Sequence, residues 1–143
     1  MKVQPKYPNI MKTNTLVPEL YCTDLQESLR FYVDILNFDI LYQRKDENFA
    51  CLQSNGAQLM LDQIGFTRDW LTASLERPFG RGVNLQIQCT NIDSLYDRVQ
   101  QNNLPVFLQL ETKTYTVNGQ PETVKQFIVQ DPDGYLLRFQ QDT

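Results

Sequence analysis

The sequence predicts an α+β domain of two paired β-α-β-β-β modules, with curved mixed sheets and helices on one side. Three observations predict it. One order of apolar strand and amphipathic helix patterns occurs twice along the 143 residues. Cys22-Thr23-Asp24 recurs as Cys89-Thr90-Asn91, and Phe49, Gly56, Leu59 and Gln63 recur as Phe127, Gly134, Leu137 and Gln141 at one constant offset. In four strands apolar residues alternate with polar ones, as in a sheet with only one face on a core. A single domain over 1–143 is expected, with module one at about 15–63, a connection at 64–82 and module two at about 83–141.

Module one opens with a strand over Leu16–Cys22. Asp24 is placed to cap the next helix, with Glu27 three residues on as the partner in a capping box. Leu25, Leu29, Val33 and Leu36 mark one helical face. Strands follow at Phe38–Arg44, Phe49–Gln53 and Gln58–Gln63, separated by polar turns. The connection carries the only tryptophan, Trp70, and a short helix is expected over Trp70–Leu75. Module two has a strand over Val83–Cys89 and an Asn91-capped helix carrying Ile92, Leu95, Tyr96 and Val99. Its later strands fall near Val106–Leu110, Val124–Val129 and Tyr135–Gln140. About 11 extra residues relative to module one are assigned to Glu111–Glu122, where Asn118-Gly119 predicts a long two-stranded arm.

Alternation assigns the faces. Leu16, Pro18, Leu20, Cys22, Leu59, Leu61, Val83, Leu85, Ile87, Leu137 and Phe139 point to the helices. Val17, Glu19, Tyr21, Met60, Asp62, Asn84, Gln86 and Arg138 point the other way, to a largely polar face that lines solvent or a cavity. Arg138, a cation inside an apolar strand, is therefore expected to point away from the core.

Composition narrows the chemistry. The chain is 41% hydrophobic and carries a net charge of −4, which suits no nucleic-acid partner. No apolar run reaches the roughly 18 residues of a membrane span, and MKVQPKYPNIMKTNT lacks a signal peptide's apolar core. Three cysteines without metal-type spacing point to a reduced, cytoplasmic protein. The absence of histidine excludes Ser-His-Asp triads, Cys-His pairs and His-based zinc sites. No nucleotide-phosphate loop motif is present.

The stretches VPELYCTDLQESLRFYVDILNFDI, GRGVNLQIQCTNIDSLYDRV and VKQFIVQDPDGYLLRFQ resemble the vicinal oxygen chelate superfamily, which includes glyoxalase I, extradiol dioxygenases, fosfomycin-resistance enzymes and bleomycin resistance proteins. The resemblance covers nearly the whole chain. It implies modules whose strands form a cup, with metal ligands in the enzymes at positions that fall here on Val17, Met60, Asn84 and Arg138. Val cannot ligate, Met is soft, and a cation repels a metal. The resemblance is therefore best to the metal-free bleomycin resistance proteins, acidic dimers that sequester a bulky cationic drug.

The expectation is a metal-free, cofactor-free binding protein, a cytoplasmic homodimer holding a cationic or aromatic small molecule. The ligand-binding residues expected are Glu19, Met60, Asp62, Trp70, Asn84, Gln86, Tyr115 and Arg138. Trp70 stacks on ligand or covers a sheet edge or subunit contact; Phe66 and Phe79 flank it. Arg138 binds an oxygen group of the ligand or pairs with Glu19 or Asp62. The rival is a lyase, isomerase or dioxygenase of the superfamily with an atypical site, Glu19 or Asp62 acting as general base.

Overall fold

The computed structural model describes residues 13–143. Most of the N-terminal stretch read for a signal peptide, through Lys12, lies outside the described residues. The chain divides into two compact units between Leu71 and Thr72.

The first unit begins with β1 (Glu19–Cys22), then a helix that starts as α1 (Leu25–Leu29) and continues as a π-helix over Arg30–Ile35. Asp24 caps it by accepting hydrogen bonds from the N–H groups of Gln26 and Glu27. The wider π turn, closed by Leu36 N–H on Phe31 O at 3.1 Å, adds a residue to the helical repeat. The buried face is therefore Leu25, Ser28, Phe31, Tyr32 and Leu36, and the expected Leu29 and Val33 are only half-buried. Strands β2 (Asp39–Arg44), β3 (Phe49–Ser54) and β4 (Ala57–Gln63) complete a mixed sheet of order β1-β4-β3-β2. Leu20, Cys22, Ala50, Leu52, Leu59 and Leu61 form the apolar centre of its helix-side face, each buried. Burying such a leucine stabilises the fold by about 1.5–3 kcal/mol.

Two expectations fail here. The first strand starts at Glu19 rather than Leu16, and Leu16 is 83% exposed. No helix forms over Trp70–Leu75. The Tyr21 hydroxyl instead accepts from the Trp70 N–H and donates to the Arg68 carbonyl, each at 3.1 Å, which holds the backbone in a turn-rich loop.

The second unit repeats the topology. It contains β5 (Asn84–Gln88), α2 (Ile92–Gln101), β6 (Val106–Val117), β7 (Gln120–Gln130) and β8 (Leu136–Asp142), in sheet order β5-β8-β7-β6. The helix packs on β7 and β8, with Tyr96 edge-on to Phe127 at 5.1 Å and Phe127 stacked on Phe139 at 5.4 Å. β5 starts one residue later than expected and leaves Val83 exposed. The arm forms as expected. β6 and β7 pair to Val117↔Gln120, and Asn118 and Gly119 turn the chain with φ of 52° and 77°.

The Asp131–Gly134 turn is tied down rather than solvated. Asp131 Oδ1 accepts from the N–H groups of Asp133, Gly134 and Tyr135 at 2.9–3.0 Å. Arg77 pairs with the buried Asp133 at 2.9 Å and donates to Pro132 O. A side chain on Gly134 would meet Pro78 Cβ at 2.5 Å, and its φ of 115° suits glycine alone. Phe79 is buried edge-on to Tyr135 beside this turn, so it packs and is not available to a ligand.

The repeat explains Gln63 and Gln141. Gln63 Oε1 accepts from the Leu25 N–H and Gln141 Oε1 from the Ile92 N–H, both at 2.8 Å. Each satisfies a donor at the start of its unit's helix, which side-chain caps alone would leave open. Phe49 and Phe127 are not equivalent, although the constant offset pairs them. Phe49 opposes Asp62, whereas Phe127 opposes Phe139. The turn Pro132-Asp133-Gly134 holds one residue more than Asn55-Gly56, and a one-residue slip moves a side chain to the other face. The structural counterpart of Phe49 is Gln126, which opposes Gln140.

Candidate functional site

In the first unit the register places Glu19 beside Met60 and Tyr21 beside Asp62. Met60 opposes Cys51, Asp62 opposes Phe49, and these two oppose Tyr42 and Arg44. All eight share the face turned from the helix. That face is not largely polar as the alternation of β1 and β4 suggests: Leu41, Phe49 and Cys51 are buried on it, with Tyr42 and Met60 packed against them. β3 is apolar on both faces, so period-two reading of the other strands does not report it.

Within this apolar wall Asp62 is 5% exposed. Its Oδ2 accepts from the Thr67 hydroxyl at 3.4 Å, and its Oδ1 is buried with no hydrogen-bond partner. A buried carboxylate oxygen left so costs free energy, and a donor or cation brought to it would recover that cost. Burial, then the neighbouring Asp62 carboxylate, raise the Glu19 carboxyl above its ordinary value, against the opposing charges of Arg68 and Arg44. Expected residues Glu19, Met60 and Asp62 are thus brought together. Trp70 is tied to them only through its backbone N–H on the Tyr21 hydroxyl. Its ring is 67% exposed and already carries the Arg68 guanidinium, 3.7 Å from the ring centroid. The Arg44 guanidinium lies likewise 3.9 Å over Phe49. Tyr42, Phe49 and the two arginines were not singled out by sequence reasoning. Their signal was the adjacent strand pair β2–β3, read there for its pattern only.

In the second unit Gln86 opposes Arg138, and Asn84 lies on the same face. Arg138 Nε donates to Asn84 Oδ1 at 3.3 Å and Nη1 to Gln126 Oε1 at 3.5 Å. Gln126, 2% exposed, donates from Nε2 to Glu111 Oε2 at 2.8 Å and to the Tyr115 hydroxyl at 2.7 Å. The expected residues Asn84, Gln86, Tyr115 and Arg138 therefore meet around one network, of which Gln126 and Glu111 went unnoticed. Arg138 points away from the core, as the alternation requires. Within its own unit its partners are two neutral amides, because Asn84 and Gln126 lie on neighbouring strands within reach of its fork. This face holds a groove of about 420 Å³ lined by Arg138, Gln86, Gln88, Gln140, Tyr115 and acids further along. A second depression of about 400 Å³ lies at the Asp131–Gly134 turn, where Arg77 and Asp133 already neutralise each other.

The match to known proteins agrees with this geometry. The model of the "Glyoxalase/Bleomycin resistance protein/Dioxygenase superfamily" matches residues 13–139. The chain belongs to that superfamily. A superfamily member from Vibrio splendidus 12B01 is 44% identical over 88% of this chain and 97% of its own, with a TM-score of 0.41. A glyoxalase/bleomycin resistance protein/dioxygenase from Alicyclobacillus acidocaldarius is 21% identical over 90% of this chain and 91% of its own, with a TM-score of 0.63. TioX from Micromonospora sp. ML1 is 18% identical over 91% and 99%, with a TM-score of 0.68. No curated protein matches. The last two structures share the fold of this chain.

Membership raises the question of a metal. The positions to which the sequence resemblance assigns metal ligands carry Val17, Met60, Asn84 and Arg138, and the one amide oxygen among them accepts from the Arg138 guanidinium. This set does not fit a hard divalent ion: one member has no donor, one is a soft thioether and one is a fixed cation. Among the described residues no three of His, Cys, Asp and Glu gather as a metal site would need. Neither Cys89 nor Cys51 is an activated nucleophile, since burial pushes the Cys89 thiol up to about 11 and raises that of Cys51. Among the described residues no helix is long and apolar enough to cross a membrane.

Proposed function

We propose that this superfamily member sequesters a cationic, partly aromatic small molecule without metal, cofactor or chemistry, as bleomycin resistance proteins do, and acts as a cytoplasmic homodimer. The observation that carries this reading is Asp62: a buried carboxylate oxygen without a partner, set in an aromatic wall of Tyr42 and Phe49. A ligand cation supplies the missing partner, and the rings supply stacking area. The net charge of −4 per chain favours encounter with cations, and the absence of a disulfide among Cys22, Cys51 and Cys89 fits a reducing compartment. Trp70 is a unique fluorophore whose backbone is anchored beside Asp62. Titration with bleomycin is expected to change its emission saturably, and Asp62→Asn to weaken binding by about tenfold or more. Calorimetry without heat and melting without a shift at millimolar bleomycin would end the reading.

A second reading rests on Glu19. A half-buried carboxyl with a raised pKa, next to a second carboxyl, has the properties of a general base in a lyase or isomerase. It requires a turnover whose pH profile rises above the ordinary carboxylate range and which Glu19→Gln abolishes.

A further inference from the structure

The second unit's groove has a charge order that the first unit's face does not explain. Arg138 stands in its wall with Nε and Nη1 engaged by neutral amides, and its Nη2 has no partner among the described residues. Gln126 cannot turn away to take other partners, because Glu111 and Tyr115 hold its amide. The guanidinium is thus fixed in place but not neutralised, which is the state a bidentate anion site needs. Further along the same face come Gln88 and Gln140, which oppose each other, then Asp142 opposite Val124, and Glu122 one step beyond on β7. These residues line the same groove. Arg138 and Asp142 are four residues apart on β8, about 13 Å along an extended strand. One end of the groove is therefore cationic, the other carries two carboxylates, and glutamine amides that both donate and accept lie between.

From this order we infer that the groove binds a zwitterionic, peptide-like chain, its carboxylate on Arg138 and its cationic group at Glu122 and Asp142. The Gln86, Gln88 and Gln140 amides meet the amides of the chain between. A carboxylate takes the Nη2 donors and the Nη1 hydrogen that Gln126 leaves open, and an extended chain of about four residues spans the groove at about 3.3–3.6 Å per residue. The inference deepens the binding reading by naming the ligand class for this groove, and rests on it in that the protein is a binder of small molecules.

Tetraglycine is the minimal probe, measured calorimetrically on the full chain against its C-terminal amide and its N-acetyl derivative. The free acid is expected to bind saturably, with the amide and the N-acetyl form each weaker by about tenfold or more. Arg138→Gln is expected to bring the acid down to the level of the amide. Should that variant melt early, Arg138→Lys keeps the charge and loses the fork, and is expected to retain part of the difference. Equal binding of acid and amide, no heat from either at millimolar concentration, or an acid–amide difference that survives both variants would overturn the site. Equal binding of the free and N-acetyl forms would overturn the zwitterion. Bleomycin run in parallel on Asp62→Asn separates the two readings: that variant is expected to lose bleomycin and keep the acid–amide difference.

Discussion

The two units share a topology and a helix-side core, yet their opposite faces have diverged into different chemistries. In the first unit the third strand of the sheet puts Phe49 and Cys51 on that face, and Asp62 is left with an unanswered oxygen among apolar neighbours. In the second, Gln126 and Ile128 take the corresponding places, and both ends of the buried Gln126 amide are hydrogen-bonded, to Glu111, Tyr115 and Arg138. The cause is local. One extra residue in the Asp131–Gly134 turn shifts the hairpin register, so the aromatic residue of the second copy, Phe127, faces the helix. A duplicated module can thus change what a face binds by a change in turn length, without altering the strand order.

The comparison breaks most visibly if the satisfied network and the unsatisfied acid behave alike on mutation. Gln126→Ala is expected to cost about 1–3 kcal/mol, because it strips partners from Arg138, Glu111 and Tyr115 at once. Asp62→Asn is expected to cost little in the free protein, since Oδ1 has no hydrogen bond to lose, an amide oxygen still accepts from Thr67, and the charge that disfavours ionised Glu19 is removed. Urea unfolding of the two variants decides it. Equal destabilisation would mean that Asp62 is held by the fold and is not reserved for a ligand.

A smaller effect tests what the units have in common. Gln63→Ala and Gln141→Ala each free one helix-start N–H, and each is expected to cost about 1 kcal/mol, in the range of a lost N-cap. Similar losses would support a shared device. A loss confined to one would show that the repeated glutamine identity, like the repeated phenylalanine, is a coincidence of sequence.

Those two identities also show what was legible in the sequence. Strand order, the helix caps at Asp24 and Asn91, the Asn118-Gly119 arm and the outward direction of Arg138 follow from local chemistry that the chain carries on its surface. The register of β7 does not, because it depends on how many residues the Asp131–Gly134 turn absorbs, and hence on Arg77 and Pro78 packing far away in sequence. For the same reason Glu19, Met60 and Asp62 were readable as neighbours, while the aromatic wall around them was not: β3 is apolar on both faces and gives no alternation to read. The expected helix at Trp70–Leu75 failed on a tertiary contact, the Tyr21 hydroxyl, that no local pattern contains.

The smallest effect concerns Glu19, which has no charged group at the equivalent place in the second unit, where Gln86 stands. Its folded-state pKa lies above the ordinary value of 4.5, chiefly through burial and then through Asp62. A carboxyl raised in the folded state binds its proton more tightly there than in the unfolded chain. Its contribution to stability is therefore full below pH 4.5 and is lost as pH rises through the folded pKa, opposite in sign to a salt-bridged carboxylate. Glu19→Gln keeps the neutral form at every pH, so the variant is expected to be at least as stable as the parent at neutral pH and to lack this decline. Urea midpoints followed upward from pH 4.5 should converge at the acid end and separate above the folded pKa, with the variant higher. Glu19 is only half-buried, so solvent screening keeps the gap small. Parallel curves would show that Glu19 titrates as it does in the unfolded chain, and the first unit's face would then keep one distinctive acid, Asp62, in place of a coupled pair.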